Sequence, residues 1–185
     1  MKNTTILGVV TFVNQLKHDA VETIAALSHA DINTKIITGD NIYLGVQTAL
    51  MTGMIPNDKR IIILEGNKYN PQNNSVEVLE LTRSNHGEIL EEKNNINNFS
   101  FSNNPDEFYA IDNDFIMVRP DDFLGERVKV FARISPENKA LIVKKHRDIE
   151  QDVLRNRKGL KKWTGDCSYK VGMVGDGASD LIAIK

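Results

Sequence analysis

Cysteine is almost absent. Cys167 is the only one in 185 residues, so neither an intrachain disulfide framework nor a multi-cysteine zinc site can form, and a reducing compartment is the simplest setting. No stretch reaches the ~18 consecutive apolar residues of a membrane span, and no charged start followed by an apolar run marks a signal peptide. An excess of one charge is missing too: 23 Lys and Arg stand against 25 Asp and Glu, a net charge of -2. A nucleic-acid binder should show a concentrated basic excess, and the one basic cluster, Arg155 to Lys162, reads as a solvated loop or helix end. What remains, with 41% hydrophobic residues, is a water-soluble chain of single-domain size with enough apolar content for a sizeable core.

Ile6 to Val13 (ILGVVTFV) is a continuous β-branched apolar run and reads as a buried strand. Asp19 and Glu22 form an aspartate version of the capping box, and Val21, Ile24, Ala25 and Leu27 follow at helical spacing. Thr34 to Thr38 (TKIIT) is a second short strand, ending at Gly39-Asp40. Asn41 caps a helix to about Met51, with Gly53 as its stop. Strand, helix, strand, helix in this order favours an α/β architecture with a parallel sheet and helices on its faces.

The middle differs. After a strand at Ile61 to Leu64, the chain carries Asn73, Asn74, Asn94, Asn95, Asn97, Asn98, Asn103 and Asn104 with few aliphatic residues. It reads as an exposed, mobile insertion with one short edge strand at Val76 to Leu81. Phe108 to Ile111 and Phe115 to Val118 flank Asp112-Asn113-Asp114, a candidate hairpin. Val128 to Ala132 (VKVFA) is again a strand, and Ser135-Pro136 opens a helix toward Ile149. Lys170 to Val174 (KVGMV) is a last strand before Gly175-Asp176-Gly177, with a helix from Ala178. The expected organisation is 1–64 and 119–185 as two parts of one domain, with 65–118 as the asparagine-rich insertion.

Two strands therefore finish alike, in TKIITGDN and KVGMVGDGASD. Ligands of open parallel sheets bind at the carboxyl ends of the strands, so Asp40 and Asp176 are expected to converge on one crevice. Glycine beside each carboxylate lets a backbone approach a bulky anion, and the helix starts beyond supply free N–H donors, as a phosphate site needs. Carboxylates alone repel phosphate, so a hard cation is required, and magnesium is the natural one. Asp176 is the first expected ligand, with Asp180, one helical turn on, as a second or outer one. Taken singly, they would be a turn aspartate and an exposed helix aspartate. Lys139, in the first turn after VKVFA, is placed to neutralise phosphoryl charge, unless it is an ordinary solvated lysine. Thr38 offers a hydroxyl to a phosphoryl oxygen, or simply fills its strand. Thr164-Gly165-Asp166 repeats the triplet without an apolar strand before it and reads as loop.

The ordered segments ITGDN, FARISPENK and MVGDGASD resemble the phosphorylation domain of P-type ATPases, a haloacid-dehalogenase-like, Rossmann-like fold. LGVVTFVNQLKHDAVETIAALSHADINTKIITGDN is similar to the fifth-class pumps, the group that includes polyamine transporters. The resemblance implies that Thr38 and Lys139 contact the phosphoryl group, that Asp40 and Arg133 hold ATP, and that Asp176 binds Mg2+ with Asp180 in support. It implies as partners ATP and the remainder of the same pump, meaning its nucleotide-binding, actuator and transmembrane domains. This segment would sit at the cytoplasmic face of a membrane-embedded transporter, with no membrane contact of its own and no nucleic acid. The family's DKTGT motif, whose aspartate becomes phosphorylated, does not occur here. The chain thus reads as an incomplete phosphorylation domain, inactive alone and lacking the central strand between those that end at Asp40 and Asp176. Ser179 stands where the family pattern has asparagine. The alternatives are a phosphatase of the same superfamily, disfavoured by the lack of a nucleophile-bearing first strand, and a non-catalytic nucleotide-binding module.

Overall fold

The computed structural model describes residues 7–11, 15–84, 88–120, 125–157 and 170–184, with the side chains of 149–157 excepted. In chain order its elements are α1 (Ala20–His29), β1 (Ile36–Ile37), α2 (Ile42–Met51), β2 (Arg60–Asn70), β3 (Ser75–Arg83), β4 (Ile89–Ile96), β5 (Glu107–Asp112), α3 (Asn113–Val118), β6 (Val128–Ala132) and α4 (Pro136–Arg157). A 3-10 turn (Ala178–Asp180) leads into the short α5 (Leu181–Ile184).

The expected α/β architecture is present as one six-stranded mixed sheet in the order β1-β6-β5-β2-β3-β4. Its first half is parallel, with β1 beside β6, β6 beside β5 and β5 beside β2. Its second half is an antiparallel meander of β2, β3 and β4. Alternate residues of the central strands feed two cores. Ile61, Ile63, Ala110, Val130 and Ala132 pack with Ile42, Val46 and Ala49 of α2. On the opposite face Ile62, Leu64, Tyr109, Ile111 and Phe131 pack with Phe115 of α3 and Ile142 of α4.

The start and stop signals of α2 act as expected. Asn41 Oδ1 accepts from Leu44 N at 2.8 Å, and Gly53, with φ 74°, turns the chain out of the helix. Ser135 Oγ likewise accepts from Asn138 N at the start of α4, at 3.3 Å. Asp19 occupies the N-cap position of α1 but makes no side-chain cap bond, and α1 buries none of its residues.

Three expectations are corrected. The asparagine-rich middle is ordered as part of the sheet although much of it is exposed: β3 pairs with β4 over eight residue pairs from Val76↔Ile96 to Arg83↔Ile89, β4 buries none of its residues, and Phe99 is 2% exposed. Its asparagines encode turns. Asn74 and Asn98 sit at φ 51° and 53°, the left-handed region that asparagine tolerates better than most residues. Asn73 Oδ1 accepts from the Ser75 backbone and hydroxyl, and Asn104 Oδ1 accepts from Asp106 N.

The hairpin expected around Asp112-Asn113-Asp114 is a strand-to-helix junction. Asp112 caps α3, accepting from Phe115 N at 2.8 Å, and the same Oδ1 accepts from Gly66 N in β2 at 2.9 Å. The residue types that make turns also make helix caps, and here the cap wins.

The two outer apolar strands do not form. Residues 7–11 and 170–176 have no regular secondary structure, and Leu7, Val9, Val10 and Val174 are 97%, 86%, 77% and 97% exposed. An apolar run becomes a strand only against a neighbour's hydrogen-bonding edge, and the outer edge of β1 is left unpaired among the described residues. Residues 6 and 12–14, Thr164-Gly165-Asp166, Cys167 and Lys158 to Lys162 of the basic cluster lie outside the described residues.

Candidate functional site

The parallel strands all run the same way, so the residues following them share one edge of the sheet. Beyond β1 the ladder to β6 continues: Thr38 N donates to the Phe131 carbonyl (2.8 Å), Ile134 N to the Thr38 carbonyl (3.0 Å) and Arg133 N to the Asp40 carbonyl (2.8 Å). Arg133 adopts φ 54°, a conformation that is strained for a residue with a Cβ and turns its N–H toward Asp40. The Thr38 hydroxyl donates to Asp40 Oδ2 at 3.2 Å and accepts from Asp40 N at 3.1 Å. Thr38, Asp40 and Arg133 are thus one cluster, with both Asp40 and Arg133 exposed.

A second cluster lies where α4 meets the 3-10 turn. Lys139 Nζ donates to Asp180 Oδ1 at 2.6 Å and to Ser179 Oγ at 3.2 Å. Lys139 is 6% exposed and Asp180 8%. The other carboxylate oxygen of Asp180 accepts from Gly177 N at 3.3 Å. The hydrogen bond from Lys139, with further help from the Gly177 N–H, holds the Asp180 carboxyl below its ordinary range against the opposing effect of desolvation. Gly175 has to be glycine: a Cβ there would come within 2.5 Å of Asp180 Oδ2.

Ile134 connects the clusters along the chain, bonding back to Thr38 one residue before Ser135 starts the helix turn that carries Lys139. No side-chain bond among the described residues joins Thr38 or Asp40 to Lys139 or Asp180. Asp176 is exposed, with no hydrogen-bond partner among the described residues, and no group of three or more His, Cys, Asp or Glu capable of holding a metal occurs among them. Asp180, expected as a second or outer carboxylate of a magnesium site, accepts its shortest hydrogen bond from the Lys139 ammonium.

The sequence marked Ser179 only as a departure from the family pattern and Asp112 only as a turn residue. Ser179 shares the Lys139 ammonium with Asp180, which only the spacing GDGASD after a strand end hinted at. Asp112 is buried (4% exposed) at the carboxyl end of β5, after the apolar run FYAI, so a second strand of the sheet leads into an aspartate, as β1 leads into Asp40.

No protein-family model matches the chain. It is similar to Probable cation-transporting ATPase 13A4 of Homo sapiens, 26% identical over 192 residues, which covers 97% of this chain and 14% of that protein. It is likewise similar to Probable cation-transporting ATPase 13A5 of Homo sapiens, 26% over 194 residues. Polyamine-transporting ATPase 13A3 of Homo sapiens is 25% identical over 202 residues, covering 99% of this chain and 15% of that protein. The chain therefore spans about one seventh of the length of the curated relatives it matches. The chain is thus similar to one segment of each of these cation- and polyamine-transporting ATPases. No described helix is long and apolar enough to cross a membrane.

Proposed function

We propose that the chain is part of the phosphorylation domain of a P-type cation- or polyamine-transporting ATPase, lying on the cytoplasmic side of the membrane. Its role is to supply phosphate, nucleotide and magnesium contacts to a nucleophile carried elsewhere in the parent pump. The observation that carries this reading is the held ammonium of Lys139, anchored by Asp180 and Ser179 one helix turn beyond the strand ladder that bears Thr38, Asp40 and Arg133. A phosphoryl group in transfer needs a fixed cation and hydrogen-bond donors, with little other chemistry from the protein.

In this reading Thr38 gives its hydroxyl to a phosphoryl oxygen, Lys139 neutralises the charge that builds up there, and Arg133 with Asp40 holds the nucleotide. Asp176 is the free carboxylate for magnesium, with Asp180 behind it. Magnesium is content with one or two carboxylates, the remaining positions being phosphate and water, so the donor set present fits it. Bound there, the ion would screen the phosphate charges from the aspartates. The unpaired edge of β1 supports a further strand beside it, contributed by the rest of the pump together with the aspartate to be phosphorylated.

Incubation of the chain with radiolabelled ATP and magnesium tests this directly. No acid-stable carboxylate label is expected, because the nucleophile lies elsewhere. Acid-stable label on a carboxylate of this chain would contradict the reading, and hydrolysis of a generic phosphate ester, lost in Asp176→Ala, would favour a self-sufficient phosphatase instead.

A further inference from the structure

A capping box closes a helix start with two bonds: the cap hydroxyl accepts from the N–H three residues on, and the side chain there accepts in return from the N–H of the cap residue. α4 makes the first bond, from Asn138 N to Ser135 Oγ. The second goes to another helix. The Ser135 N–H donates to Asn113 Oδ1 in the first turn of α3 at 3.1 Å, and Asn138 Nδ2 donates to the same oxygen at 2.8 Å. One atom of α3 thus serves both donors, and Lys139 is the next residue of α4, its own N–H bonded to the Ser135 carbonyl at 2.9 Å.

Asn113 stands on a fixed base. On one side of it Asp112 Oδ1 accepts from Phe115 N and from Gly66 N of β2. On the other, Asp114 packs so closely on β2 that a Cβ on Gly66 would run into its backbone. The position of the Asn113 oxygen is therefore set by β2 and β5, independently of α4. The other end of the link is shielded, with Asn138 9% and Lys139 6% exposed, so little water is at hand to replace a lost acceptor.

We propose that Asn113 is a positioning residue: its side-chain oxygen fixes the first turn of α4 and so sets where the Lys139 ammonium stands. Its importance for phosphate rests on the reading of Lys139 given above, whereas the placement itself does not. The turn that Asn113 holds is tied on its other side to the strand ladder, because Ile134 N donates to the Thr38 carbonyl. Asn113 thereby fixes the helix start relative to Thr38, and from that start Lys139 reaches Asp180 and Ser179. Without the oxygen, the Ser135 N–H and the Asn138 amide lose their acceptor, the turn shifts to regain one, and the ammonium moves with it. A carboxylate in the same place offers the same acceptor, since these bonds use only the oxygen of Asn113.

The test is the NMR signal of the Lys139 side-chain ammonium in the full chain, which reports its contacts with Asp180 and Ser179. Asn113→Ala should displace or lose that signal, and Asn113→Asp should retain it. A signal unchanged in Asn113→Ala, or lost equally in Asn113→Asp, overturns the proposal and leaves the reading of the phosphate site untouched. Affinity for ATP with magnesium is a separate readout: Asn113→Ala and Lys139→Met should each weaken it by about tenfold, the loss of one charge-assisted hydrogen bond, and Asn113→Asp should not. A displaced signal with affinity unchanged in both variants sustains the placement and counts against Lys139 as a phosphate contact. Should Asn113→Ala fail to fold, exchange of the Ser135 N–H in the unaltered protein decides: marked protection sustains the anchor, and exchange at the rate of an unstructured amide overturns it.

Discussion

The ammonium of Lys139 and the carboxylate of Asp180 meet at 2.6 Å across 41 residues of sequence, and both side chains are nearly out of reach of solvent, at 7% and 12% exposure. This contact fastens the 3-10 turn to α4, and Ser179 and Gly177 complete its hydrogen bonding.

Breaking the pair from one side should cost more than removing it. Lys139→Met leaves a shielded carboxylate without its cation, whereas Lys139→Met with Asp180→Leu leaves neither charge. In urea unfolding the single variant is expected to have the lower midpoint. Equal midpoints would mean that the carboxylate left without its cation carries no penalty.

Because Asp180 has its carboxyl lowered from 3.8 chiefly by the Lys139 hydrogen bond, its share of stability is fully present above that value and is lost as pH falls through the folded-state pKa. Asp180→Asn should therefore lose the corresponding steepening of acid unfolding below about pH 4, read by circular dichroism.

Gly175→Ala should disrupt the turn that holds Asp180, since the new Cβ would meet Asp180 Oδ2 at 2.5 Å, while Gly172→Ala meets nothing within 4 Å. The backbone amide resonances of Gly177 and Asp180 should move in the first variant and stay in place in the second.

Asp112 holds two backbone N–H groups with one oxygen, those of Phe115 and Gly66. Asp112→Ala removes a cap and strands a second buried donor, for an expected loss of about 2–4 kcal/mol in urea unfolding. A loss under about 1 kcal/mol would show that water replaces the carboxylate at no great cost.

Ile61 to Leu64 could be read as a strand because burial on both faces leaves an unbroken apolar run, and Val128 to Ala132 because its run is interrupted only by Lys129. The caps Asn41 and Ser135 were legible for a local reason: their hydrogen bonds reach only three residues ahead. The β2-β3-β4 meander was not, because Ser75 to Arg83 buries Val76, Val78 and Leu81 behind a polar alternation and its asparagines act as turn formers. Leu7 to Thr11 and Lys170 to Val174 misled in the opposite sense. Their apolarity is genuine, but pairing depends on an edge that a single sequence does not reveal. In the site, the strand ends marked Thr38, Asp40 and Lys139, whereas the Lys139–Asp180 pairing depends on how the turn docks on α4.

His146 predicts a second pH effect. Burial, and secondarily Lys35, lower its folded-state pKa from 6.5 to about 4, so between those values the unfolded chain binds more protons. Stability should rise with pH across that window. His146→Leu should flatten the rise, measured as the urea midpoint against pH; an unaltered slope would show that His146 is not its source.

The most direct test of a shared phosphate site is a backbone NMR titration of the full chain with ATP and magnesium. The account predicts that Gly39, Asp40, Arg133, Gly177 and Ser179 shift together along one binding curve, and that Asp176→Asn weakens its magnesium dependence. Absence of shifts at these residues, or shifts confined to the β3–β4 end of the sheet, would contradict it.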